Sequence, residues 1–196
     1  NLGVKLANTE YIFFCSPDNF IKSKTVYKLE QIADKYKNFS LFILTGEGSE
    51  ETEVIRVEKE VGMSSFFTKK TDFINLSGFD ENFFLYYEDV DLFKKYLNNN
   101  LLIYKVPITY TNKRGSHDDL YSLEIEICRN WHYMWSKFYF FRKHNNYLLS
   151  FLVNLPYLLR SMFKILLNYK NKEKKDKYKA RFSGLLNGYQ ARPSWY

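Results

Sequence analysis

Gly78-Phe79-Asp80-Glu81-Asn82-Phe83-Phe84-Leu85-Tyr86-Tyr87-Glu88-Asp89-Val90-Asp91-Leu92 is the densest stretch of the chain, with five carboxylates standing among five aromatic side chains. Acidic groups in apolar company resist neutralisation only where a cation, a metal or a hydrogen-bond donor compensates, so the run reads as a site. An EF-hand is excluded by spacing. Counted from Asp80, position six is Leu85 where glycine is needed, and position five is Phe84 where a ligand is needed. A structural alternative stays open, in which Asp89 and Asp91 cap or flank a helix running on to Leu97.

Working outward, Tyr11-Ile12-Phe13-Phe14-Cys15 is an apolar strand closed by the turn signal Ser16-Pro17-Asp18-Asn19. Residues 24–37 place Val26, Leu29, Ile32, Ala33 and Tyr36 at helical spacing, and Leu41–Leu44 predicts a strand stopped by Gly46 and Gly48. Thr52–Val57 reads as a further strand and Leu101–Val106 as another, ended by Pro107. This alternation is α/β.

Beyond it, Leu120, Leu123, Ile127, Trp131, Met134, Trp135, Phe138 and Phe141 recur every three or four positions, as an amphipathic helix to about His144 requires. That helix packs on the domain or lies on a membrane. Asn145–Leu159 carries no charge for 15 residues. The run falls short of the roughly 20 residues needed to cross a bilayer, and Pro156, Arg160 and Lys164 break any extension, which predicts an interfacial segment. Lys170–Arg181 holds seven basic residues in twelve positions. Such a helix is held against anionic head groups at about 1 kcal/mol per charge, with a merely solvated basic tail as the alternative.

Composition sets the limits. The 196 residues suffice for one domain with a real core, and 45% hydrophobic with 19% aromatic content excludes a disordered or fibrous chain. Cys15 and Cys128 are too few for a disulfide scaffold or a cysteine-built zinc site, which points to a reduced, cytoplasmic setting. Asn1–Glu10 has neither the basic start nor the apolar run of a secretory leader, and the missing initiator Met predicts a fragment. The net charge of +7 belongs to a tail: residues from Arg160 onward carry +8, and those before it sum to minus one. A nucleic-acid partner is therefore not expected, whereas an anionic surface is.

The acidic run closely resembles the acceptor-side motif of glycosyltransferase family 2, in particular its rhamnosyltransferase-like members, with Gly-Phe-Asp-Glu, a Phe-rich step and then Glu-Asp-x-Asp-Leu. The resemblance extends over about residues 1–145. Asn1-Leu2-Gly3 with Ala7, Glu10 and Tyr11 resembles the Asn-x-Gly segment before the central strand, and Ser16-Pro17-Asp18 stands at the family's Asp-x-Asp turn. Gly62-Met63-Ser64-Ser65 resembles the Gly-Ala-rich segment, and Val106-Pro107 with Ile108–Ser116 the strand and loop that close the site. The fold implied is a partial type A glycosyltransferase fold, Rossmann-like and α/β, with C-terminal amphipathic membrane-associating helices. Residues 1–118 would form the catalytic domain and residues 119–196 the helical region.

The roles implied follow the motif. Asp89 is the base that takes the acceptor's proton; Asp80, Glu81 and Glu88 bind or orient the acceptor; Asn1, Gly3, Ser16 and Asp18 serve the donor. Asp18 and Asn112 would hold Mg²⁺ or Mn²⁺, hard cations that prefer oxygen and neutralise a leaving diphosphate. Asp18, at a strand end, agrees with ligand binding outside the carboxyl ends of strands in open α/β sheets. Asp91 is assigned to helix structure, and His117, His132 and His144 receive no role. Two positions depart from the family: Ser16 replaces the first acid of the turn, and Asn112 stands where a His is common. The segments that hold the nucleotide base would precede Asn1. The expected activity is inverting transfer of a sugar, with dTDP-rhamnose as one donor, to a lipid-linked or saccharide acceptor at the cytoplasmic face of the cell membrane, in polysaccharide synthesis such as O-antigen. The alternative is a catalytically incomplete, membrane-binding relative.

Overall fold

The computed structural model describes residues 1–46, 52–59, 62–112 and 122–194, and these divide into two compact units. The first comprises Asn1–Asp80 and Asp89–Ser116, the second Glu81–Glu88 and His117–Tyr196. The acidic aromatic loop therefore groups with the helical unit, whereas the sequence places the division at 118/119.

The first unit is built on a mixed sheet. Its strands are β1 (Tyr11–Cys15), β2 (Asn19–Phe20), β3 (Leu41–Gly46), β4 (Ile55–Arg56), β5 (Ser65–Lys69) and β6 (Ile103–Asn112), in the order β1-β5-β3-β6-β2 with β4 also on β6. β3 and β6 run parallel and every other pair is antiparallel. Both faces are covered, so the strands are continuous apolar runs whose residues alternate between two cores. Leu41, Ile43 and Phe66 face one side, where helices α1 (Leu2–Leu6), α3 (Lys70–Asn75) and α4 (Glu88–Asn98) contribute Val4, Phe73, Leu92, Phe93 and Tyr96. Phe42, Leu44 and Phe67 face the other, against Leu29 and Ala33 of α2 (Thr25–Lys35).

Two expectations need correction here. Pro107 does not end its strand: β6 runs through it to Asn112, because the register against β3 shifts between Leu44 and Thr45. Proline has no N–H for the ladder and is tolerated at such a bulge, and Thr45 Oγ1 donates to the Ile108 carbonyl there at 3.3 Å. Of the strand expected over Thr52–Val57, only Ile55 and Arg56 pair, on the first half of β6. Gly48, His117 and Leu120 lie outside the described residues.

Asp91 has the structural role expected of it. Its carboxylate is fully buried and pairs with Lys95 at 3.5 Å, while Lys95 also donates to the Gly78 carbonyl at 2.7 Å. Removing one partner of a buried pair strands the other charge. Asp91→Ala is therefore expected to lower stability by about 3 kcal/mol, read as a lower urea midpoint with an unchanged slope.

The second unit contains α5 (Ser122–His144), α6 (Tyr147–Leu167) and α7 (Lys172–Tyr189). Ala180, Gly184 and Gly188, one helical turn apart, let α7 approach α5 closely, against Trp131, Trp135 and Phe138. The loop Glu81–Glu88 also lies on α5: Phe83 meets Tyr139, Phe84 meets His132, Tyr87 meets Phe140, and Ser136 Oγ donates to the Leu85 carbonyl at 2.8 Å.

Contrary to the expected interruption at Pro156, α6 is one helix of 21 residues, long and apolar enough by length and composition to cross a bilayer. Its polarity is inverted. Ser150, Asn154 and Ser161 are buried, with their side chains bonded back to carbonyls four residues earlier, whereas Leu148, Leu152, Phe163 and Leu166 are exposed.

Candidate active site

Within the first unit, two acids far apart in the chain converge on one short segment. The turn after β1 is closed by Asn19 N–H donating to the Ser16 carbonyl at 3.0 Å, with Pro17 and Asp18 at its centre. Proline presets the first central position, which leaves the Asp18 carboxylate at the tip. Ser16 N–H then donates to the Ser64 carbonyl at 3.1 Å, and Asn19 Nδ2 donates to the same carbonyl at 3.3 Å and to Ser65 Oγ at 2.8 Å. One residue earlier, Met63 N–H donates to Asp89 Oδ2 at 2.8 Å. Asp89 sits in the first turn of α4, where Oδ1 accepts from Val90 N–H at 2.8 Å. Gly62 lies beside that carboxylate, where a Cβ would make an ordinary contact with Oδ2 at 3.6 Å. The Met63–Ser64 segment thus anchors both the Asp18 turn and Asp89.

Asn112 reaches the same turn through the β2–β6 pairing, which sets it opposite Asn19. Its amide nitrogen donates to Asp18 Oδ2 at 3.0 Å and to Asn19 Oδ1 at 2.7 Å. The amide therefore turns its nitrogen toward Asp18, where a shared cation requires its oxygen. Of the expected metal pair, only the Asp18 carboxylate is arranged as a ligand, and the described residues contain no cluster of three His, Cys, Asp or Glu side chains. One carboxylate with substrate phosphates is a common donor set for Mg²⁺, so Asp18 fits a cation brought in with a diphosphate.

Hydrogen bonds from the Ser16 hydroxyl and then from the Asn112 amide hold the Asp18 carboxyl below the usual carboxylate range. A depressed folded-state pKa adds stability above the unfolded value, lost as pH falls through the folded one. Ser16→Ala is expected to raise the Asp18 pKa, and Asn112→Ala to raise it less, both toward about 3.9. Carboxyl-carbon NMR titration checks the order.

The remaining expected residues fall elsewhere. Asn1 clamps the backbone of Phe79, donating to its carbonyl at 2.8 Å and accepting from its N–H at 2.9 Å. Gly78, at φ +58°, lets the amide lie that close, since a Cβ there would stand 2.4 Å from Asn1 Oδ1. Asn1 therefore orders the start of the acidic loop. Gly3 is exposed in α1, and nothing lies within 4 Å of a Cβ placed on it. Asp80 is half-buried at the end of its segment of the first unit. Glu81 and Glu88 belong to the second unit, exposed and half-buried respectively. Just before Glu88, Tyr86 and Tyr87 both take positive φ, 68° and 69°. For bulky residues this costs of order 1–3 kcal/mol each, and such strain gathers at functional loops.

Sequence reasoning assigned no role to Asn19, Ser64 or Tyr110, which complete the turn's network. Tyr110, two residues before Asn112, shares a hydrogen bond between its hydroxyl and Ser64 Oγ. The strand alternation that puts Tyr110 and Asn112 on one face of β6 is the signal that was available.

No protein-family model matches the chain, and no curated protein matches it in sequence. Among solved structures, S. aureus TarS 1-349 aligns over 98% of this chain and 70% of its own, at 14% identity and a TM-score of 0.46. That likeness is below the level at which a common fold is established, so the family resemblance of the acidic run stands on the motif alone.

Proposed function

We propose that the chain is a glycosyltransferase that moves a sugar, with inversion, from a nucleotide-diphosphate donor to a hydroxyl of a lipid-linked or saccharide acceptor. One observation carries this reading: the turn that bears Asp18 and the carboxylate of Asp89, 71 residues apart in the chain, are both anchored by Met63–Ser64. A carboxylate and a carboxylate-bearing turn tied to one segment suit a reaction in which one side neutralises a departing diphosphate and the other removes a proton. Asp89 accepts the acceptor's hydroxyl proton as the oxygen bonds to the anomeric carbon. The bond from that carbon to the diphosphate breaks on the opposite face, and the nucleoside diphosphate leaves with the electron pair.

Met63 N–H holds Asp89 Oδ2 in place for that transfer, and the Ser16 and Asn112 donors keep Asp18 ionised. Mg²⁺ or Mn²⁺ bound at Asp18 supplies charge neutralisation for the diphosphate. Asp80, Glu81 and Glu88 are assigned acceptor hydroxyls by the motif. dTDP-rhamnose as donor and O-antigen-type polysaccharide synthesis extend the same resemblance. The test is a panel of dTDP-, UDP- and GDP-sugars with divalent metal, scored by nucleoside diphosphate release. Metal-dependent release with at least one donor is expected, and its absence from the full-length gene product overturns the reading.

Attachment to a membrane, at the cytoplasmic face by the family resemblance, is supported by α6, which turns Leu148, Leu152, Leu159 and Leu166 outward and Ser150, Asn154 and Ser161 inward. α7 packs along α6 and carries Lys172, Lys174, Lys175, Lys177, Lys179 and Arg181, too many charges to enter hydrocarbon. The pair accordingly lies in the interface, peripheral to the bilayer. Flotation with anionic liposomes at low salt is expected, with release by alkaline carbonate. Failure to float rejects the attachment. Vesicle binding without sugar transfer would instead favour the incomplete, membrane-binding relative.

A further inference from the structure

A cavity of about 490 Å³ lies where the chain passes from β2 into α2, lined by Lys22, Ser23, Lys24, Thr25 and Lys28 and by the Pro107–Thr109 bulge of β6. This volume is in the range of small-molecule sites. Among the described residues no carboxylate lines it. Among the described residues the ammonium groups of Lys22, Lys24 and Lys28 enter no ion pair, so three like charges line one cavity with no countercharge from those residues.

Two further features face the same space. α2 begins there with Lys24 at its N-cap and no side-chain cap, which leaves the first-turn amides of Val26 and Tyr27 without helical partners. Independently, Thr25 is only 2% exposed, lines the cavity and has no hydrogen bond to its hydroxyl. Its oxygen is not fully enclosed, which leaves the hydroxyl able to donate to a ligand oxygen in the cavity. The cavity also lies close to the candidate active site. The β2–β6 register pairs Asn19 with Asn112 and Phe20 with Thr111, so Lys22 follows toward Thr109. From Asp18 to Lys22 is four residues, at most about 13 Å of extended chain.

We propose that this cavity binds a phosphoryl group through the three lysines, the Thr25 hydroxyl and the open amides of α2, without a metal. The proposal rests on the cavity and not on the transferase reading, although its place beside Asp18 suits a phosphorylated substrate of that reaction. The phosphoryl group would belong either to the diphosphate of a nucleotide or to the phosphate of an anionic acceptor.

The experiment is calorimetric titration of the full chain with inorganic pyrophosphate in the presence of EDTA. Binding is expected, weakened about tenfold or more in Lys22→Gln/Lys28→Gln as charge-assisted contacts are lost. Thr25→Val is expected to weaken it without changing the charge. Lys35→Gln/Lys37→Gln, which removes the same charge from the far end of α2, is expected to leave the Kd within about twofold. Absence of binding in EDTA, or equal weakening by the two double variants, overturns the proposal. Competition then identifies the source. Displacement by dTDP or UDP in preference to glycerol 3-phosphate assigns the donor, the reverse assigns the acceptor, and displacement by neither rejects the site. Each outcome is read without sugar transfer, so this proposal and the transferase reading fail separately.

Discussion

Asp89→Asn is expected to lower turnover by about 10²–10⁴-fold, the usual contribution of a positioned general base, while donor binding at the Asp18 turn is unchanged. The substitution removes the negative charge and the basicity but keeps the size. Oδ2 of Asp89 accepts from Met63 N–H and Oδ1 from Val90 N–H. An amide supplies one acceptor and one donor group, so one of those contacts becomes a meeting of two N–H groups. The expected structural penalty is about 1 kcal/mol, too small to unfold the first unit. The loss should therefore appear in kcat rather than in KM, with the melting temperature lowered by only a few degrees. Turnover within about tenfold of the parent would remove Asp89 from the role of base, since so small a change matches the loss of an ordinary hydrogen bond.

Gly184→Val is expected to have the largest effect on stability. A Cβ at residue 184 would lie 2.3 Å from the Trp131 carbonyl oxygen and 3.1 Å from its carbon, both backbone atoms that cannot rotate away. α7 can accept a side chain there only by separating from α5. That would open the clusters in which Trp131 and Trp135 meet Ala180, and Met134 and Phe138 meet Leu185. Overpacking of this kind costs about 3 kcal/mol or more where rigid backbone blocks relaxation. The readout is a lower melting temperature with loss of near-ultraviolet tryptophan ellipticity. Gly188→Ala meets the Phe138 ring at 2.9 Å, and that side chain can shift, so the smaller effect belongs there. Equal tolerance of Gly184→Val and Gly188→Ala would contradict the close approach.

Much of the first unit was legible because its strands are buried on both faces and read as unbroken apolar runs. β1 has the bounds expected, and α2 and β3 lie within or beside theirs. β5 was not anticipated, since Ser65–Lys69 is short, lacks alternation and runs into α3 at Lys70 with no turn residue between them. The proline readings at 107 and 156 failed for a shared reason. The cost of a missing N–H depends on where the neighbouring strand or helix places its partner group, and a bulge in β6 and the continuous helix α6 both absorb it.

By itself the sequence determined the α/β order, the charge confined to the tail, and the acidic aromatic run with Asp89 inside it. Those follow from residue type and spacing, which local periodicity and composition report directly. Only the tertiary structure decided that Met63–Ser64 joins the Asp18 turn to Asp89, that Asn1 serves the Gly78–Phe79 backbone, and that Asn112 turns its nitrogen to Asp18. It alone brought Lys22, Lys24 and Lys28 around the unpartnered hydroxyl of Thr25. Each of these rests on contacts between segments tens of residues apart, or on which way a side chain points, and hydrogen-bond direction and convergence leave no trace in the spacing of residues along a chain.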